Sequence, residues 1–74
     1  MKWHDCKTDP PKKEGEYLVY VQDYDYDFGS HYGVCFWFES VYGSYFVRLG
    51  GKRPGSKLLK QPIKWAEVDL NEGD

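Results

Sequence analysis

The sequence predicts a small all-β domain, an antiparallel meander of about four strands, open or curled towards a barrel. Three observations point there. Short runs rich in β-branched and aromatic residues recur along the chain. Gly- and Pro-containing turn signals separate them. No segment shows a helical period, and "SKLLKQ" is long enough for one turn at most. The 74 residues read as one domain, 1–74, with no internal repeat or linker. A chain this short sustains a fold through dense aromatic burial, a metal, disulfides or oligomerisation. Seven Tyr, four Phe and three Trp supply the first of these.

The elements follow in order. "KTDPPKKEGEY" holds a Pro pair and a Gly among polar residues, so it is an extended lead-in and a turn. The first predicted strand covers Glu16 to Gln22, "EYLVYVQ", and the second covers Tyr32 to Glu39. "SVYGS" is a short hairpin loop into a third strand, Ser44 to Leu49. "GGKRPGSKLLKQP" is a loop, and Ile63 to Val68 form the fourth strand. Short connections make consecutive strands antiparallel neighbours.

Alternation divides each strand into two faces. Val19, Val21, Val34, Phe36, Phe38, Val47, Ile63 and Trp65 are the expected core, with Trp3 folded across one end of the sheet. Trp3 and Trp65 are expected to share that core. Leu18, Tyr20, Trp37 and Phe46 leave the second face partly apolar. Such a face is either a contact surface or is covered by the N-terminal lead-in.

"QDYDYDFGS" tests the strand reading. Asp23, Asp25 and Asp27 have the one-three-five spacing of a calcium loop, but Phe28 and Val34 stand where that loop needs Gly and Glu. Continued as a strand, the segment places three acids on the side of Tyr17, Val19 and Val21. A carboxylate without a partner is costly there. The first strand must therefore end, bulge or run past the core near Gln22. The segment is expected to project as a hairpin tip, turned by Gly29 and Ser30.

Other chemistry is sparse. His4, Cys6, His31 and Cys35 are zinc-type ligands without a zinc-type spacing, and they read as surface histidines and buried thiols. No orienting third group accompanies a Cys/His pair. "LGGKRPGSK" lacks the spacing of a phosphate-binding loop. No cofactor or metal is expected. The opening "MKWHDCKTDPPKK" has no apolar run of a signal peptide, and no stretch approaches the length of a membrane span. A cytoplasmic protein with reduced thiols is the expectation.

The net charge of −2 conceals a segregation. Residues 40 to 66 contain no acid but hold Arg48, Lys52, Arg53, Lys57, Lys60 and Lys64. Acids flank this block on both sides.

"KWHDCKTDPPKKEGEYLVYV" near the start and "PIKWAEV" near the end resemble a family of short proteins of unknown function common in phages and prophages. The matching residues are Trp3, Pro10, Pro11, Gly15, Tyr17, Leu18, Val19, Ile63 and Trp65. They cover about half the chain. The closing "T-H-W-M-P-L-P" frequent in that family is absent here, where the chain reads "IKWAEVDL". The resemblance implies a fold and a phage-like origin, and it carries no catalytic role.

Two functional classes follow. The first is a non-enzymatic protein-binding module, an accessory factor acting on a host protein, with Asp23, Tyr24, Asp25, Tyr26 and Asp27 as its contact element. Surplus Tyr and Trp suit such a surface, and a second copy of the chain is also an admissible partner. The alternative is a nucleic-acid-binding module. It would use the basic loop 48–64, with Arg48, Lys52, Arg53 and Lys57 on phosphates and exposed aromatics on bases.

Overall fold

In the computed structural model, residues 2–68 are described. They form one open, wholly antiparallel sheet of five strands. The strands are β1 (His4–Asp5), β2 (Gly15–Asp25), β3 (Ser30–Ser40), β4 (Gly43–Arg48) and β5 (Lys64–Glu67). Their spatial order is β1-β5-β2-β3-β4. The all-β antiparallel class is as the sequence predicts. The path is not a simple meander, because the chain leaves β4 and returns to the far side of β2.

Local hairpins build the β2-β3-β4 part. Gly29, at φ 70°, makes the β2–β3 turn in a conformation that a side chain disfavours. The β2–β3 register runs regularly from Gly15↔Trp37 to Tyr20↔Tyr32, then slips before Asp25↔Ser30. Between these two pairs four residues of β2, Val21 to Tyr24, thus oppose one of β3, His31, and the bulge falls where the acid parity conflict requires it.

Cross-strand partners share a face, so the register decides which residues are inside. Tyr17 opposes Cys35, Val19 opposes Gly33 and Trp65, and Trp37 opposes Phe46. These residues make one face, and Tyr17, Val19, Cys35, Trp37, Phe46 and Trp65 are its buried core, joined by Leu58. The expected core is therefore only partly right. Val19, Val21 and Trp65 are buried, whereas Val34, Phe38 and Ile63 are exposed and Phe36 and Val47 are half-buried. Trp3 is half-buried near Tyr32, on the face opposite to Trp65, so the two tryptophans do not share a core.

Two segments cover the core face. Leu58 lies in the β4–β5 connection and is 2% exposed. In the lead-in, Pro11 is buried and Cys6 packs against the core. Trp65 Nε1 donates to Asp9 O at 2.8 Å, which ties the lead-in down. The same connection runs along the outer edge of β4. Arg48 N donates to Ser56 O, Leu58 N donates to Phe46 O, and Gln61 Oε1 accepts from Phe46 N at 2.7 Å. An edge otherwise open to another strand is thereby paired.

Candidate partner-binding surface

The hairpin tip does not project. Asp25 and Arg48 form a two-point ion pair, with Nη1 to Oδ1 at 3.1 Å and Nη2 to Oδ2 at 2.8 Å. Asp25 Oδ1 also accepts from the backbone N–H groups of Asp27 and Phe28, which closes the turn. Asp27 lies 3.4 Å from Arg48 Nη1. The Phe28 ring sits under the guanidinium and packs against the core, so close to Gly33 that a Cβ there would lie 2.5 Å from it. Arg48 opposes Cys35 and so stands on the core face. The bulge therefore curls the tip back over that face, against the expectation of a projecting element.

The electrostatics follow from this pairing. The hydrogen bonds from Arg48 hold the Asp25 carboxyl below its ordinary value, and Asp25 raises Arg48 in turn. The hydrogen bond from Lys60, at 2.6 Å, lowers Asp23. Two cations of the basic block, Arg48 and Lys60, thus neutralise the acidic run inside one chain. Of the five residues expected to contact a partner, Asp23, Asp25 and Asp27 are engaged with cations. Tyr24 and Tyr26 remain exposed and pack edge to face at 5.1 Å.

The residues of the nucleic-acid alternative come together around a cleft of about 260 Å³, where Lys52, Arg53 and Lys57 join Arg48 and Asp27. Arg48 is committed to Asp25. Among the described residues, Lys52, Arg53 and Lys57 have no carboxylate partner within 4 Å.

Neither thiol is set up for nucleophilic work. Desolvation pushes both Cys6 and Cys35 up to about 12. His4 Nδ1–H donates to Asp9 Oδ2 at 2.9 Å, and its ring stacks on Trp65 at 4.4 Å. His31 Nδ1–H donates to Val21 O at 3.2 Å. Among the described residues no three His, Cys, Asp or Glu side chains gather as a metal-binding group, and no helix is long and apolar enough to cross a membrane.

The face opposite the core is the feature that remains. Cross-strand partners place Tyr20, Tyr32 and Lys64 in one row, Leu18, Val34 and Ala66 in the next, then Glu16, Phe36 and Val47, then Phe38 and Tyr45. Both covering segments pack mainly on the other side; on this face Ala66 is fully buried and Trp3 packs near Tyr32, and the exposed apolar residues lie along β3. Tyr32 is 47% exposed, and Val34 and Phe38 are each 38% exposed. Lysines lie over its rings at two corners. Lys64 Nζ is 5.0 Å from the Trp3 centroid and 5.1 Å from that of Tyr20, and Lys57 Nζ is 4.9 Å from that of Tyr45.

Alternation separates the two sides of each strand, but it does not fix which side of β3 joins the Val19 side of β2; the register joins Cys35 and Trp37 to it, not the expected Val34 and Phe38. The available signal was Gly33, a residue without a side chain midway along a strand, which marks close approach from another group.

No protein-family model, no curated protein and no solved structure matches this chain.

Proposed function

We propose that this protein is a non-catalytic binding module that docks another protein on the open face of its sheet, as an accessory factor acting on a host protein. One observation carries the reading: an apolar stretch of sheet face along β3, with Tyr32, Val34 and Phe38 exposed. Contiguous apolar surface of this kind marks interaction sites. The contact surface thereby moves from the acidic run at 23–27, whose charges are spent on Arg48 and Lys60. The high thiol pKa values and the engaged histidines favour a role without catalysis. The resemblance of the two chain ends to short phage and prophage proteins supports the accessory role and a cytoplasmic setting.

The lysines over aromatic rings favour a second reading, single-stranded nucleic acid stacked across the same face. The aliphatic Leu18, Val34 and Val47 weigh against it. They occupy the middle rows and offer no π-face to a base.

The test is capture from host lysate by the wild type and by a Val34→Ser/Phe38→Ser chain with an unchanged circular-dichroism spectrum. A partner retained by the wild type and lost by the variant is the expected result. Equal capture by both chains defeats the reading. Binding of single-stranded DNA that weakens steeply with salt moves the conclusion to nucleic acid.

A further inference from the structure

We propose that a second copy of this chain is one occupant of the open face, stacked sheet on sheet over the β3–β4 half. This rests on the reading of that face as a contact surface, and it names a partner.

The argument starts from a single row. Glu16 opposes Phe36, Phe36 opposes Val47, and Val47 bridges to Lys57. Across four neighbouring chain segments the row reads acid, apolar, apolar, base. The position of Lys57 Nζ over Tyr45 places its side chain on the open face, because Tyr45 opposes Phe38 there. Glu16 and Lys57 are both exposed, and among the described residues neither has an ion-pair partner.

Such a row is complementary to its own reversal. Two stacked sheets can be related by a two-fold axis lying between them. An axis running along the strands, midway between β3 and β4, exchanges the two ends of the row. Glu16 of each copy then lies over Lys57 of the other, and Phe36 of each lies over Val47 of the other. In the adjacent row, Phe38 and Tyr45 exchange in the same way. The strands of the two sheets stay nearly parallel, as in aligned sheet packing at ~10 Å separation. A shift by one strand in either direction sets Glu16 or Lys57 against an apolar side chain, so the charges select the register and the apolar rows supply the contact.

The area suffices for a reversible dimer. Val34 and Phe38 are 38% exposed, and Leu18, Phe36, Tyr45 and Val47 are half-buried. With Glu16 and Lys57 at the rim, and aromatic side chains of ~150–250 Å² each, the patch is about 500 Å² per copy. The pair buries about 1,000 Å², at the lower bound of specific interfaces. The Trp3–Tyr20–Lys64 corner lies outside the overlap and stays open.

Sedimentation velocity and light scattering over a concentration series test this. The wild type should pass from monomer to dimer between the micromolar range and about 1 mM. Glu16→Lys alone and Lys57→Glu alone each set like charges together and should weaken the dimer roughly tenfold or more. An equimolar mixture of the two variants should form a heterodimer of near wild-type affinity, since each contact then joins opposite charges. Circular dichroism controls for folding of each variant. A wild type that stays monomeric at about 1 mM overturns the inference. So does a dimer indifferent to both reversals, or a mixture no stronger than its components. The capture experiment with Val34→Ser/Phe38→Ser judges the binding-module reading separately, because a monomeric wild type can still retain a different protein.

Discussion

Replacing Asp25 by Asn removes one charge and keeps the shape of the side chain, so it isolates the ion pair that folds the hairpin tip onto the core face. The side chains of Asp25 and Arg48 are 13% and 19% exposed. The pair is thus neither a solvated surface bridge, worth ~0–1 kcal/mol, nor a fully buried one, whose disruption costs ~3–5 kcal/mol. An intermediate loss of about 2 kcal/mol is expected for Asp25→Asn at pH 7. In a domain of this size that lowers Tm by roughly 8–16 °C. The urea midpoint should fall in step, with an unchanged slope.

The pH dependence gives a second reading of the same contact. Arg48 holds the folded Asp25 carboxyl below its ordinary value. Its contribution is therefore fully present above the unfolded carboxylate range near ~4. It disappears as pH falls through the lower folded value. The difference between wild type and Asp25→Asn should shrink as the solution is acidified below about pH 4. A double-mutant cycle with Arg48→Met should show a coupling of about 1–2 kcal/mol. A variant as stable as the wild type at pH 7, or a penalty that persists undiminished in acid, would refute the argument that this charge pair holds the tip.

Other perturbations test other parts of the fold. Trp65→Ala should cost about 3–5 kcal/mol and leave the domain largely unfolded by circular dichroism, since Trp65 joins the core and anchors the lead-in through its indole N–H. Gly33→Ala drives a Cβ into the Phe28 ring and should cost about 1–3 kcal/mol in a denaturant melt. Adding Phe28→Ala should recover part of that loss, whereas purely additive effects would disprove the contact. Gln61→Ala leaves the Phe46 N–H without its acceptor. It should cost about 1 kcal/mol and raise aggregation seen by light scattering as the β4 edge opens. Cys35, buried and with its thiol pushed up to about 12, should resist a thiol reagent at pH 8 in the folded protein and react fully in denaturant.

The amino-acid sequence by itself determined the all-β class, the approximate positions of β2, β3, β4 and β5, and the antiparallel pairing of β2 with β3 and β3 with β4. These features depend on β-branched and aromatic runs, on turn glycines and on short connections, all of which act within a few residues. Parity also located the break in β2, because three acids could not continue along the side of Val19 and Val21. Tertiary structure decided the rest. A bulge of unstated size breaks the link between the parities of two strands, and each one-residue slip exchanges inside and outside. Val34 and Phe38 therefore came to lie on the open face, while Cys35, Trp37 and Phe46 came to lie in the core. The return of β5 to β2 and the choice of Arg48 for Asp25 are contacts between distant parts of the chain. Local pattern does not encode them, since any of six basic residues could have met that acid. They arise only once Leu58 and the lead-in have covered one face, and that covering leaves Tyr32, Val34 and Phe38 exposed on the other.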